Sequence, residues 1–177
     1  SKKIFYLKMD LSIIIPVYNS EKIIDKLIDK IVYSVDDIKF INSYEIILIN
    51  DFSPDNCWDK IKFLSKKFNF IKGISLTQNF GQHNAIMAGL NECVGKKIIT
   101  MDDDLQHLPS SISDIINELD KGFDVCYAEY LNRKHPPWRR FVSWFNNIVS
   151  SYLLNKPYKI YLSSFRGFKK KISKEII

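Results

Sequence analysis

The stretch Lys97-Ile98-Ile99-Thr100-Met101-Asp102-Asp103-Asp104-Leu105-Gln106-His107 decides the fold of this chain. A short apolar run bounded by polar residues is typical of a buried β-strand, and this run leads directly into three aspartates. Side chains of successive strand residues point to opposite faces, which predicts Asp102 and Asp104 on one side and Asp103 on the other. Two such Cα atoms lie roughly 6.6 Å apart. This spacing suits two carboxylates around one hard cation, although an isolated acidic triplet is also typical of a solvated loop.

The chain has 177 residues, of which 46% are hydrophobic, and a formal net charge of +6. This length predicts a single domain over residues 1–177. No apolar run reaches about 18 residues, so no transmembrane helix is predicted. Widely spaced cysteines without a CxxC pair argue against a disulfide framework or a zinc site and favour a reducing compartment. The positive charge favours anionic partners, but scattered basic residues without an RNA-binding signature argue against nucleic acid.

Buried strands alternate with amphipathic helices along the first three quarters of the chain. Apolar runs predict strands at 11–17, 44–50, 71–76, 97–101 and 123–128. Helical spacing predicts helices near 23–32, 54–68 and 82–92, and one from Pro109 to Gly122, with Ser53 capping the second helix and Pro54 opening it. Such alternation implies right-handed crossovers. The predicted fold class is therefore α/β, with a three-layer, Rossmann-like, mainly parallel sheet.

Polar residues follow three of the predicted strands at the point where each strand ends. Tyr18 follows the first strand, Asp51 follows the second, and the aspartates 102–104 follow the fourth. The carboxyl ends of parallel strands share one edge of a sheet, where open α/β sheets bind their ligands. The sequence therefore predicts a nucleotide- or phosphate-binding cleft at this edge.

Several motifs resemble glycosyltransferase family 2, whose members are inverting nucleotide-sugar transferases of the type-A fold. They are Ile15-Pro16-Val17-Tyr18-Asn19, Asn50-Asp51-Phe52-Ser53 and Asp102-Asp103-Asp104. Two further stretches resemble the polyprenyl-phosphate branch, which is similar to dolichol-phosphate mannose synthase: Asn79-Phe80-Gly81-Gln82-His83 with residues 85–90, and Asp104-Leu105-Gln106-His107. The resemblance covers roughly residues 10–170, and it implies the type-A glycosyltransferase fold.

The resemblance also implies a set of site residues. It implies a nucleotide pocket lined by Pro16, Tyr18, Glu21, Asp51 and Asp102, in which Asp51 accepts a hydrogen bond from the base. Asp102 would lie near the ribose and the metal, and Asp104 would coordinate Mg²⁺ or Mn²⁺ bridging the diphosphate. Gln106 would shape the sugar side of the pocket. A metal ion suits this chemistry because it neutralises the charge that develops on a departing nucleoside diphosphate.

The acceptor side is expected in the C-terminal third. Arg166 is a candidate catalytic residue, and Arg133, Arg139 and Arg140 are candidates for gripping a lipid phosphate or the donor diphosphate. The helix expected at 138–154 is basic and aromatic, which fits either a membrane interface or an ordinary core helix. Two residues depart from the family pattern: Ser164 replaces an aspartate near the acceptor site, and Gln78 replaces an arginine. A lipid phosphate needs no strong general base, whereas a sugar hydroxyl does.

The leading hypothesis is a metal-dependent inverting glycosyltransferase at the cytoplasmic face of the membrane. It would move a sugar from a nucleotide-sugar, with UDP the favoured nucleotide, to a polyprenyl phosphate, and a homo-oligomer is left open. One alternative acceptor is a saccharide hydroxyl of a surface polysaccharide or lipid-linked oligosaccharide, with which Ser164 is also compatible. A second alternative is a non-catalytic nucleotide-binding or membrane-associated domain. The absence of a glycine-rich, lysine-bearing phosphate loop argues against a nucleotidyltransferase. Since the chain stops where such enzymes continue into further helices, we expect it to be truncated.

Overall fold

The computed structural model describes residues 9–104, 110–128 and 164–176. The strands of the described part are β1 (Leu11–Val17), β2 (Tyr44–Asn50), β3 (Ile71–Ser75), β4 (Lys97–Thr100), β5 (Val125–Tyr127) and β6 (Arg166–Lys169). Its helices are α1 (Ile24–Asp36), α2 (Cys57–Lys67), α3 (Gln82–Glu92), α4 (Ser110–Asp120) and α5 (Lys170–Ile176). No helix of these ranges is both long and apolar enough to cross a membrane.

The strands form one six-stranded sheet in the order β3-β2-β1-β4-β6-β5. Strand β1 pairs in parallel with β2 and β4, and β2 pairs in parallel with β3. The mainly parallel sheet is therefore confirmed for the first four strands. Strand β6 was not predicted, and it runs antiparallel between β4 and β5. It is only four residues long, with charged residues at both ends and a glycine inside, so no buried apolar run marks it.

Helices cover both faces of this sheet. On one face, Ile14, Ile47 and Ile98 pack with α3, and Ile172 of α5 joins the same cluster. The other face carries α2 and α4, because a Cβ on Gly73 would meet Ile61 of α2 and one on Gly167 would meet Ile115 of α4. The three-layer arrangement predicted from the sequence is thus confirmed, with the isoleucine-rich strands β1 and β2 at its centre, buried except for the partly exposed Tyr44.

Two local predictions are wrong. Helix α2 begins at Cys57, three residues later than predicted, and Ser53 does not cap it. Instead, the Ser53 hydroxyl donates to Asp55, whose carboxylate accepts the Cys57 amide at 3.1 Å. Strand β4 ends at Thr100, so strand alternation does not extend through the acidic triplet. All three aspartates consequently line one cleft, and Asp103 does not turn away from it.

Candidate active site

A cleft of about 220 Å³ lies at the carboxyl edge of the sheet, where β1, β2 and β4 end. Parallel pairing brings these ends together, since Val17 is the partner of Asn50 and Ile14 is the partner of Thr100. The residues that line the cleft come from the end of β1, the three loops that follow β1, β2 and β4, and the start of α3: Pro16, Val17, Tyr18, Asp51, Gln82, Asp102, Asp103 and Asp104.

Asp103 ties the end of β4 to the loop after β1. Its Oδ2 accepts the backbone amide of Tyr18 at 3.1 Å and also the hydroxyl of Ser20. Burial raises the pKa of Asp103 above its ordinary value, and these hydrogen bonds only partly oppose the effect. The bonds draw the Tyr18 backbone against the acidic loop and leave the Tyr18 side chain half exposed at the cleft.

Asp51 fixes the loop that leads into α3. Its two carboxylate oxygens accept the amides of Phe80 and Gly81 at 2.8 and 2.9 Å. Gly81 has a φ of 84°, which glycine adopts at little cost, and this turn aims both amides at the carboxylate. Asp51 is only 4% exposed, yet it lines the cleft. Because each carboxylate oxygen has two lone pairs, Asp51 keeps acceptor capacity for a bound ligand.

The loops after β1 and β2 are also locked to each other. The Asn19 amide donates to the Ser53 hydroxyl at 2.7 Å, and the Glu21 amide donates to Asp55 at 2.9 Å. Burial alone would raise the pKa of Asp55, but the hydrogen bonds that it accepts from Cys57, Ser53 and Glu21 hold it at about 2. The ionised Asp55 carboxylate therefore joins the loops after β1 and β2, which flank the cleft.

Asp102 contacts two polar side chains from separate parts of the chain. Its Oδ1 accepts a close hydrogen bond from Gln82 Nε2 at the start of α3, and its Oδ2 accepts one from the Ser164 hydroxyl just before β6. The Ser164 carbonyl in turn accepts the Thr100 hydroxyl at 2.9 Å. Asp102 is thus held from both sides.

The structure brings most of the predicted nucleotide residues together. The cleft lining contains Pro16, Tyr18, Asp51 and the acidic triplet, and Ser164 contacts Asp102 directly. Glu21 is not part of the lining, because its carboxylate contacts the side chain of Asn56 at 3.3 Å instead. The structure does not describe Gln106, Arg133, Arg139, Arg140 or the helix predicted at 138–154. The roles assigned to all of these residues stay predictions.

Gln82 is the lining residue whose part sequence reasoning missed. The sequence indicates Gln82 only as a member of a motif and as the first residue of a helix. The available signal was its position, since a helix that begins directly after Gly81 at the carboxyl edge places its first side chain beside the cleft. Its contact with Asp102 depends on how α3 is placed relative to β4, which the sequence pattern does not specify.

Arg166 opens β6 and pairs with Thr100, the last residue of β4. It is half-buried and does not line the cleft. Its Nε is buried and has no hydrogen-bond partner within the described ranges. The structure thus places Arg166 two residues beyond Ser164, and its predicted catalytic role stays a prediction.

The charges around the cleft determine what it can hold. Four carboxylates line it, and no lysine or arginine does so in the part of the chain that the structure describes. Among the described lining residues, a nucleoside diphosphate would therefore meet no positive side chain, and an accompanying cation would reduce the repulsion. No group of three or more His, Cys, Asp or Glu side chains within those ranges could hold a metal ion. The oxygen donors of Asp104 and Asp102 fit Mg²⁺ or Mn²⁺ together with ligand phosphates, since such ions commonly take one or two carboxylates plus phosphate oxygens.

Comparison with known proteins identifies the family. The family model for glycosyl transferase family 2 matches residues 12–177. The chain belongs to glycosyl transferase family 2. The resemblance stated from the motifs is confirmed, and with it the assignment as a glycosyltransferase domain.

Two curated relatives share one name. An undecaprenyl-phosphate 4-deoxy-4-formamido-L-arabinose transferase of Proteus mirabilis is 34% identical over 141 residues, which are 79% of this chain and 40% of that protein. The Yersinia pestis protein of the same name is 33% identical over 163 residues, which are 92% of this chain and 49% of that protein. The chain therefore spans less than half the length of these relatives.

Solved structures confirm the fold. S. aureus TarS 1–349 in complex with UDP has a TM-score of 0.65 at 22% identity, and the match covers 95% of this chain and 49% of that one. Glucosyl-3-phosphoglycerate synthase of Mycobacterium tuberculosis, in complex with Mn²⁺, UDP-glucose and phosphoglyceric acid, has a TM-score of 0.70 at 17% identity, covering 93% and 58%. The predicted type-A glycosyltransferase fold is therefore confirmed.

Proposed function

We propose that this domain binds a nucleotide-sugar together with Mg²⁺ or Mn²⁺ and transfers the sugar, with inversion, to a polyprenyl phosphate. The observation that carries the proposal is the cleft itself, in which four carboxylates and an exposed tyrosine meet at the carboxyl edge of the sheet. The names of the curated relatives, which specify undecaprenyl phosphate, support the acceptor class. The UDP and Mn²⁺ complexes among the structural relatives support the donor class and the metal.

The donor would lie across the three loops. Tyr18 offers an aromatic ring beside the acceptor oxygens of Asp51, which suits a nucleobase that stacks on one group and donates a hydrogen bond to the other. Asp102 offers oxygens for the ribose hydroxyls. Asp104 and Asp102 would hold the cation, which when bound supplies positive charge against the leaving diphosphate.

The acceptor side follows from the character of Ser164. A neutral serine hydroxyl is not a general base, and this one donates its proton to the Asp102 carboxylate, so Ser164 does not supply the base that an aspartate at this place would supply. A phosphate acceptor is already anionic and can attack the anomeric carbon without a base, whereas a sugar hydroxyl must lose a proton. We therefore favour the lipid phosphate over a saccharide hydroxyl. Action at the cytoplasmic face of a membrane is part of the same proposal.

Calorimetric titration with UDP, GDP, CDP and ADP, with and without Mn²⁺, tests the donor site. We expect one diphosphate to bind in a Mn²⁺-dependent manner and Asp104→Ala to weaken it on the order of 100-fold. Asp29→Ala is the matched control, because it removes an exposed carboxylate from α1 and should leave the affinity unchanged. Binding that is indifferent to both Mn²⁺ and Asp104 would contradict the metal proposal.

An acceptor panel separates the remaining candidates. The chain would be incubated with the matching nucleotide-sugar and either a detergent-solubilised polyprenyl phosphate or an oligosaccharide. Label in the lipid phosphate alone supports the proposal, and label in the oligosaccharide alone favours the saccharide alternative. Donor binding without transfer to either acceptor would favour a non-catalytic nucleotide-binding domain.

A further inference from the structure

We infer that Gln82 and Ser164 form a clamp that positions the Asp102 carboxylate for the donor nucleotide, so that both are positioning residues of the donor site. The inference rests on the proposed function, and it adds a role for Gln82 that the motifs did not supply. The clamp is defined here as the pair of hydrogen bonds from the Gln82 amide and the Ser164 hydroxyl to the two oxygens of Asp102.

Among the described residues, the Asp102 carboxylate is held mainly by the two hydrogen bonds of the clamp. It lies beyond the end of β4, so the sheet ladder does not fix its backbone. By contrast, its neighbour Asp103 is held by the Tyr18 amide and the Ser20 hydroxyl. A carboxylate on a segment outside the sheet can adopt several orientations unless its oxygens accept hydrogen bonds. Each oxygen of Asp102 takes one bond from the clamp, which fixes the carboxylate plane and leaves further lone pairs for a ligand.

Gln82 and Ser164, the two donors of the clamp, are themselves held in place by other hydrogen bonds. Gln82 is the first residue of α3, and the preceding turn is fixed by the bonds from Phe80 and Gly81 to Asp51. Ser164 is held by the Thr100 hydroxyl at its carbonyl. The clamp therefore connects Asp102 to the loop after β2 on one side and to the strand β6 region on the other. A ligand that binds Asp51 and Asp102 together would find their separation already set.

The clamp also suits the negative charge of the cleft. Asp102 shares a cleft with three other carboxylates, and like charges in one cleft repel. Gln82 and Ser164 are neutral donors, so their hydrogen bonds hold the Asp102 carboxylate without adding a countercharge beside it. A lysine or arginine at either place would compete with the metal ion for the carboxylate, whereas an amide and a hydroxyl leave it available as an acceptor.

Titration of the chain with UDP and Mn²⁺ tests the clamp. We expect Gln82→Ala and Ser164→Ala each to weaken UDP binding about 10-fold, since each removes one hydrogen bond to a charged group. Gln82→Glu should weaken it further, because it directs a second carboxylate at Asp102. Ser164→Thr keeps the hydroxyl and should restore most of the affinity. Asn91→Asp, the same amide-to-acid change on an exposed residue at the far end of α3, is the matched control and should have no effect.

A double-mutant cycle distinguishes positioning from general stability. In an Asp102→Asn background, Gln82→Ala should have little further effect on UDP affinity, because the group that it positions has been replaced. The urea midpoint of Gln82→Ala should stay close to that of the unmodified chain. An unchanged UDP affinity in Gln82→Ala, or an equal loss with and without Asp102, would overturn the clamp.

The clamp can also be tested without any nucleotide. In NMR spectra of the ligand-free chain, the side-chain amide of Gln82 should exchange slowly with water and lose this protection in Asp102→Asn. A chain that binds none of the four diphosphates would overturn the proposed function, and the amide spectrum would then decide the clamp by itself. Rapid exchange of the Gln82 amide in the unmodified chain would overturn the clamp while leaving the donor-site proposal in place.

Discussion

The two edges of the sheet use buried carboxylates in opposite ways. At the amino edge, Glu45 is 1% exposed, and its Oε1 accepts the Ser12 hydroxyl at 2.6 Å and the Val94 amide at 2.7 Å. Its Oε2 lies 3.3 Å from Lys72 Nζ, as an ion pair without hydrogen-bond geometry. At the carboxyl edge, Asp51 is also buried and also accepts two hydrogen bonds, one amide on each oxygen, but it borders an open cleft.

The difference lies in what surrounds each carboxylate. At the amino edge, Lys72 forms an ion pair with Glu45, and the Gly95 amide donates to the Ser12 hydroxyl at 2.8 Å. Protein groups therefore surround the Glu45 carboxylate. At the carboxyl edge, no described lysine or arginine enters the cleft lining. The comparison teaches that local hydrogen bonding alone does not distinguish the two carboxylates. They differ in the neighbouring cation, which Glu45 has and which the described part of the cleft lining around Asp51 lacks. The predictions below test how the two edges differ in packing, hydrogen bonding and backbone strain.

The largest effect is expected at the amino edge, for Gly95→Ala. A Cβ there would lie 2.5 Å from the Ser12 nitrogen and 2.6 Å from the Leu11 carbonyl carbon, which are backbone atoms of the central strand and cannot move aside. We expect the free energy of unfolding to fall by about 3 kcal/mol, measured by urea denaturation. At the carboxyl edge, Gly81→Ala would meet nothing within 4 Å and should lose only about 1 kcal/mol, through its φ of 84°.

These two glycine variants sharpen the contrast between the edges. The amino edge is limited by space and the carboxyl edge by backbone conformation. A loss for Gly95→Ala that is no larger than that for Gly81→Ala would contradict the tightly packed amino edge.

A smaller effect is expected at the carboxyl edge for Asp55→Asn. The Asp55 carboxylate connects the loops after β1 and β2, because it accepts hydrogen bonds from Glu21 and Ser53. Hydrogen bonds hold the pKa of Asp55 at about 2 in the folded chain, below its ordinary value of 3.8. A carboxyl group with a lowered folded pKa stabilises the fold above its unfolded pKa, and this contribution disappears as the pH falls through the folded pKa. We expect Asp55→Asn to lose about 1–2 kcal/mol at neutral pH.

Urea denaturation of both proteins from neutral pH down to about pH 2 measures this contribution. The difference between them should be constant above about pH 4 and should shrink toward zero near pH 2. A difference that persists unchanged at the acid end would show that Asp55 acts through shape alone. Asp59→Asn, on the exposed side of α2, is a control that should show a much smaller difference at every pH, because its ion pair with Lys62 is solvent-exposed.

The sequence predicted the parts of this molecule that depend on burial. Runs such as 11–17 and 44–50 are mostly apolar because both faces of these strands are covered, so the strands and the shared edge followed from pattern alone. Strand β6 was not predicted from the sequence, because it is short and charged at both ends. The start of α2 escaped because Asp55, rather than Ser53, accepts the first helical amide. The contact of Gln82 with Asp102 was not predicted, because it joins residues 20 positions apart through tertiary packing.

The smallest effect is expected for Phe52→Gly, again at the carboxyl edge. Phe52 follows Asp51 with a φ of 55°, a left-handed conformation that is costly for a bulky side chain, and its ring is 57% exposed. Glycine removes a strain of about 1–2 kcal/mol and adds about 0.5–1 kcal/mol of unfolded-state entropy. We therefore expect the free energy of unfolding to rise by about 0.5 kcal/mol, as a higher urea midpoint.

Phe40→Gly supplies the matched control for Phe52→Gly. Phe40 is also an exposed phenylalanine in a connecting segment, at 72% exposure, but it does not have a positive φ. The same substitution there should lower stability by about 0.5 kcal/mol, because it adds entropy to the unfolded chain without relieving strain. Opposite signs for the two variants would show that backbone strain is stored beside the cleft. Equal losses would show that the site edge carries no more strain than the rest of the surface, and the contrast between the edges would then rest on packing and charge.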